Sequence, residues 1–281
     1  MSDRLDIQKT YKLFIGGAFP RSESGRTTEI VSSDGAFVAN VAKASRKDLR
    51  DAVKAARGAQ SSWAARTAYN RGQILYRIAE VMEGRSAQFE AELITSGVSA
   101  DAAAAEVAEA IDLWVWYAGW CDKFQQVSGT VNPVAGSFFN FTLPEPTGVV
   151  GVVAPEQPSL AGLVARLAPV LVSGNAAVVI PSEAAPLAAV SLAETVATSD
   201  VPGGVINILT GPKLDLLPWL LGHLDVNAVD LTGAPTDLNP EVLDEAVCNV
   251  KRLVRRDPGD HSPFAITDFC EMKTVWHPIG R

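Results

Sequence analysis

The sequence predicts an α/β fold with a doubly wound parallel sheet, on three observations. Residues 149–154 are an almost continuous apolar run of strand length, as expected of a strand covered on both faces. Leu160, Leu163, Val164, Leu167, Val170 and Leu171 then recur at helical spacing, and Ser173-Gly174-Asn175 ends that helix with residues suited to a left-handed cap. Residues 176–180 form a second apolar run. Strand, helix and strand make a βαβ unit, and sheets built from such units bind ligands beyond the carboxyl ends of their strands.

Taken in order, Leu13-Phe14-Ile15 entering Gly16-Gly17 reads as a strand opening a hairpin. Residues 28–31 and 37–44 are further β-like pieces, separated by Ser33-Asp34-Gly35. Ser45 with Asp48 is a capping box, and Leu49, Val53 and Ala56 line the helix that follows. Residues 71–84 and 88–95 predict two more helices. Residues 102–124 predict a long Ala-rich helix, whose Trp114, Trp116, Tyr117 and Trp120 read as core packing. Phe138, Phe139 and Phe141 alternate with polar residues between Pro133 and Pro144, a projecting hairpin whose aromatic residues need a partner surface. Beyond the central unit come a helix from Pro186, a strand at 205–209, a short helix at 214–221, a strand at 226–231 and a helix from Asn239-Pro240. Residues 252–262 read as a charged loop, and 266–276, bounded by Ile266 and Trp276, as a final strand.

Composition bounds the function. At 281 residues and 47% hydrophobic content the chain has ample core for one large domain. A net charge of −8 without a basic run argues against nucleic acid, and the lack of a basic amphipathic helix argues against a membrane surface. Residues 1–12 carry no apolar leader, and Cys121, Cys248 and Cys270 are odd in number and far apart. Both features suit a reducing cytoplasm. His223, His261 and His277 lack metal-ligand spacing, so no metal is expected.

Several motifs, in this order, resemble the aldehyde dehydrogenase superfamily. They are Phe14-Ile15-Gly16-Gly17, Tyr117-Ala118-Gly119-Trp120, Gly174-Asn175 with Pro181-Ser182-Glu183, Pro202-Gly203-Gly204-Val205-Ile206-Asn207, and Leu231-Thr232-Gly233. Asp268-Phe269-Cys270-Glu271-Met272-Lys273-Thr274-Val275 is similar to the family's terminal strand. The resemblance implies a Rossmann-like cofactor domain with N-terminal helices over residues 1–127 and 147–255. It also implies an oligomerisation hairpin and tail strand at 128–146 and 264–281, with the catalytic domain lost from between them.

The family's chemistry uses a Cys thiolate, an oxyanion donor and a Glu base. Cys121, Cys248 and Cys270 lack the family's Gly-Gln-x-Cys setting and read as structural. The oxyanion Asn turn is one residue shorter here, with Gln157 the nearby amide. Arg256 falls where the base belongs, and a guanidinium accepts no proton. No catalytic residue is therefore expected. For the cofactor, the family's ribose-binding Lys is Ile180, and its pyrophosphate-binding Ser is Ala234 followed by Pro235. Ser182, Glu183, Gly211 and Gly233 remain as cofactor-site candidates, with Glu183 equally readable as a carboxylate favoured by a helix N-terminus. These losses imply no NAD, or weak NAD at most.

The expected function is a non-catalytic subunit, similar to the second half of two-module (family 16-like) aldehyde dehydrogenases. It would assemble with itself or with a full-length active aldehyde dehydrogenase through Phe138, Phe139, Phe141 and the 266–276 strand. The alternatives are an NAD-binding subunit contributing to a shared dehydrogenase site, and a chain without a selected role.

Overall fold

A computed structural model describes residues 8–32 and 35–280. Outside the described residues lie 1–7, which carry part of the expectation of no leader, Ser33-Asp34 of the expected turn, and Arg281 of the expected tail segment. β1 (Thr27–Val31) and β2 (Phe37–Ala42) pair as an antiparallel hairpin. Four helices follow: α1 (Arg46–Ala64), α2 (Ala68–Glu83), α3 (Ser86–Thr95) and α4 (Ala100–Trp120). The expected capping box starts α1, with the Asp48 carboxylate accepting from Ser45 N at 2.8 Å. A short α5 (Phe124–Ser128) leads to β3 (Thr130–Asn132) and β4 (Phe138–Pro146).

The central sheet then builds up from β5 (Val149–Val153), α6 (Ala161–Val172), β6 (Ala176–Ile180), α7 (Pro186–Ala197) and β7 (Ile206–Ile208). It continues through α8 (Lys213–Gly222), β8 (Ala228–Asp230), α9 (Pro240–Cys248) and β9 (Arg252–Val254). The spatial order is β7-β6-β5-β8-β9, every pairing parallel. Alternation along the strands feeds two cores. Val150, Val152, Ala177 and Val179 face Trp114, Tyr117 and the α6 side, whereas Val149, Val153, Val178 and Ile180 face Leu49, Val53, Leu217 and Leu220. This double covering is why the strands read as unbroken apolar runs.

A second sheet has the order β10-β4-β3. Its outer strand, β10 (Cys270–Pro278), pairs with β4 along its whole length, from Cys270 opposite Pro146 to Pro278 opposite Phe138.

Four expectations need correction. The 266–276 strand is two elements: α10 (Phe264–Thr267) buries Ala265 and Ile266, and the strand starts only at Cys270. The charged 252–262 stretch is not all loop, because Arg252–Val254 joins the sheet as β9. Residues 13–19 form isolated bridges instead of a regular strand, with Gly16 (φ 64°) and Gly17 (φ 85°) making the reversal. The long helix ends at Trp120, and α5 is separate; within it Trp114 and Tyr117 are fully buried, as core packing requires.

Candidate functional site

The first strand of the central sheet, β5, lies between β6 and β8, so the chain winds outward in opposite directions from the β5/β8 pair. In open α/β sheets this switch point opens the ligand crevice at the carboxyl ends of the strands. Four segments meet there: Ala154-Pro155-Glu156 after β5, Pro181-Ser182-Glu183 after β6, Thr210-Gly211-Pro212-Lys213 after β7, and Thr232-Gly233 after β8.

An ion pair lies at their meeting place, between a buried Lys213 and a Glu156 whose side chain is 45% exposed. The Lys213 side chain is only 3% exposed. Its ammonium donates to Ala154 O at 2.7 Å, to Gly233 O at 3.1 Å and to Glu156 Oε1, tying the ends of β5 and β8 together. The other oxygen of Glu156 accepts from Ser182 Oγ at 2.9 Å, Glu183 N at 3.0 Å and Ala184 N at 3.1 Å. These donors lie just ahead of α7, where backbone N–H groups point outward and favour negative charge. Burial pushes the Glu156 carboxyl upward, but Lys213, the Ala184 N–H and the Ser182 hydroxyl outweigh it and hold it below the usual glutamate range.

Three of the four candidate cofactor residues belong to this network. Ser182 is buried and bonded to Glu156, Glu183 accepts from Lys213 N at 2.7 Å, and Gly233 supplies a carbonyl to Lys213. Gly233 is also pressed against β5, since a Cβ there would stand 1.9 Å from Ala154 O. Gly211 lies apart from the ion pair, at φ 144° beside Ala44.

On the neighbouring face, Arg256 forms two bonds to Asp268, one of them Nη2 to Oδ1 at 3.0 Å, and one to Asp260 at 2.6 Å. It clasps residues 255–269, the connection from β9 to β10, onto itself, while His261 meets the Trp116 ring edge-on at 5.7 Å. Gln157 is exposed. Cys121 and Cys270 are buried, and burial pushes each thiol up to about 12; Cys248 is exposed on α9. Among the described residues no group of His, Cys, Asp and Glu is gathered as a metal site, and no helix is long and apolar enough to cross a membrane.

Sequence reasoning missed the pairing of Glu156, which lies in the shortened oxyanion turn Pro155-Glu156-Gln157-Pro158, with Lys213, 57 positions away. It also missed Glu106. Glu106 is in fact buried and accepts from Leu160 N at 2.6 Å and Ala161 N at 3.3 Å, capping the start of α6. The available signal was the lack of any Ser, Thr, Asp or Asn at the N-cap position of α6, Leu160.

The aldehyde dehydrogenase family profile matches residues 19–278. The cytosolic 10-formyltetrahydrofolate dehydrogenase of Mus musculus is 33% identical over 280 residues, covering 96% of this chain and 30% of that protein. The mitochondrial aldehyde dehydrogenase of Leishmania tarentolae is 32% identical over 265 residues, 93% of this chain and 52% of its own length. Among solved structures, HpcC from Thermus thermophilus has a TM-score of 0.83 at 29% identity, over 89% of this chain and 48% of that one. The NAD+ complex of aldehyde dehydrogenase from Bacillus cereus has a TM-score of 0.81 at 25% identity, over 87% of this chain and 50% of that one. The chain thus spans less than a third of the mouse protein and about half of the other three. A parallel sheet in Rossmann order, a hairpin joined to a tail strand and this match across nearly all its length place the chain in the aldehyde dehydrogenase family.

Proposed function

We propose that this chain is a non-catalytic aldehyde dehydrogenase-like subunit that assembles, with itself or with a full-length active aldehyde dehydrogenase, as a structural or regulatory partner. The observation that carries the proposal is the β10-β4-β3 sheet. It keeps a nine-residue pairing of β10 with β4, and it leaves Phe138 (43%), Trp276 (57%) and Met272 exposed on one face and Phe139 (45%) and Leu143 on the other. Large apolar residues exposed on both faces of a projecting sheet, on an otherwise acidic chain, call for a covering partner. Arg256 supports the loss of chemistry, because it spends its guanidinium on Asp268 and Asp260 where the resemblance places a general base. The buried thiols support it too, since the thiolate is the nucleophile and burial suppresses it.

Light scattering on the purified chain, and on the chain co-expressed with full-length aldehyde dehydrogenases, tests the assembly. The expected mass exceeds that of one chain, and Phe139→Asp returns it to one chain with an unchanged far-ultraviolet circular dichroism spectrum. A strictly monomeric chain that captures no dehydrogenase contradicts the proposal. So does the chain alone reducing NAD with an aldehyde.

A further inference from the structure

The resemblance implies a dinucleotide at the switch point, and the groups present there do not fit one. We infer that the Glu156–Lys213 pair is an internal substitute for the phosphate end of a dinucleotide, and that it closes the crevice of this chain to NAD. The inference deepens the non-catalytic reading. It concerns only the crevice, so its failure leaves the assembly claim standing.

A phosphate docking at the start of α7 would need the Ser182 hydroxyl and the Glu183 and Ala184 N–H groups. A single carboxylate oxygen already accepts from all three, at 2.9–3.1 Å. The natural counter-ion for that phosphate, Lys213, is bonded to the same carboxylate and to two backbone carbonyls. One oxygen of the Glu183 carboxylate, Oε1, accepts from Lys213 N, which keeps a second negative charge beside the pair. No slot remains between the ends of β5 and β8 either. Gly233 N donates to Val153 O at 2.8 Å, and the Gly233 backbone lies directly on Ala154. An incoming pyrophosphate would have to expel one carboxylate while facing a second, at a site whose positive charge is already neutralised.

The same geometry makes a positive prediction. Without the Glu156 carboxylate, a buried ammonium, a hydroxyl and two outward N–H groups remain around one vacated position, which is the donor set of an anion site. Glu156→Ala should therefore gain binding of inorganic pyrophosphate that the natural chain lacks.

The test is thermal unfolding and calorimetry with inorganic pyrophosphate and, separately, NAD, each at millimolar concentration. The natural chain should respond to neither. Glu156→Ala should rise by about 3 °C when pyrophosphate reaches roughly ten times its dissociation constant. Glu156→Ala/Lys213→Met should lose that response. NAD stabilisation of the natural chain overturns the inference, and so does a Glu156→Ala protein indifferent to pyrophosphate. A second measurement needs no variant. Amine acetylation with peptide mapping should leave Lys213 unmodified while exposed Lys54 reacts, with or without NAD. Equal modification of the two lysines also overturns it.

Discussion

Asn175 is the residue whose loss should be felt furthest from its own position. It is fully buried, and its amide uses all of its strong bonding positions. Oδ1 accepts from Gly148 N at 2.7 Å and Thr147 Oγ1 at 3.1 Å, and Nδ2 donates to Ser173 Oγ at 2.7 Å and Phe269 O at 2.8 Å. Asn175→Ala would strip the Gly148 N–H of this acceptor. Phe269 O would keep Thr147 N and Thr147 Oγ1, and Ser173 Oγ would keep Val170 O. One orphaned buried donor costs about 1–3 kcal/mol and the two Nδ2 bonds contribute about 0.5 kcal/mol each, while the single Thr147 hydroxyl hydrogen turns wholly to Phe269 O, so the loss should be about 3 kcal/mol. For a chain of this size that is a fall of about 6 °C in Tm. Urea unfolding followed by tryptophan fluorescence, with differential scanning calorimetry, measures both. Asn175→Asp keeps both acceptor bonds but sets a carboxylate against the Phe269 carbonyl, and should cost at least as much. An Asn175→Ala protein within about 0.5 kcal/mol of the natural chain would refute the reasoning, because the four bonds would then have no net worth.

Three other outcomes follow from the geometry. At neutral pH a thiol reagent should titrate one cysteine, Cys248, in the folded chain and all three after unfolding, since burial holds Cys121 and Cys270 up to about 12; rapid labelling of either buried thiol contradicts this. The Ser262 N–H, followed by the Arg256 guanidinium, holds the Asp260 carboxyl down to about 2, below its value of about 4 in the unfolded chain. Its contribution is thus complete above about pH 4 and disappears as pH falls toward 2. The stability gap between the natural chain and Asp260→Asn should narrow over that window, and a gap independent of pH would count against the Arg256 clasp. At Gly151 an added Cβ would stand 2.8 Å from the Leu220 side chain in the middle of the sheet, so Gly151→Ala should cost about 1–3 kcal/mol in urea unfolding; no measurable loss would mean that α8 is free to shift.

The parallel core was legible because buried strands in a doubly covered sheet announce themselves as apolar runs. Val149, Val150, Val152 and Val153 in β5, and Val178, Val179 and Ile180 in β6, needed no more than their order. Helix starts with side-chain caps, such as Ser45 and Asn239, were equally plain. The misses share a cause: pairing with distant chain. Arg252-Leu253-Val254 is charged, short and only partly buried, and becomes a strand only because β8 lies beside it. Ile266 looked like the start of a strand, yet it is drawn into the core by α10 before β10 begins. In the crevice, family-like residues such as Ser182 and Glu183 could be located from the sequence, but their occupation could not. Glu156 and Lys213 are 57 positions apart, and only the folded sheet makes them neighbours.

Arg252 has one further consequence. From the edge strand of the central sheet its guanidinium donates to Asp268 O at 2.9 Å and Cys270 O at 2.6 Å, so the start of β9 is stitched to the start of β10. The seam at Arg252 therefore ties the edge of the Rossmann sheet directly to the hairpin sheet, so that neither can swing without breaking two carbonyl bonds of one guanidinium.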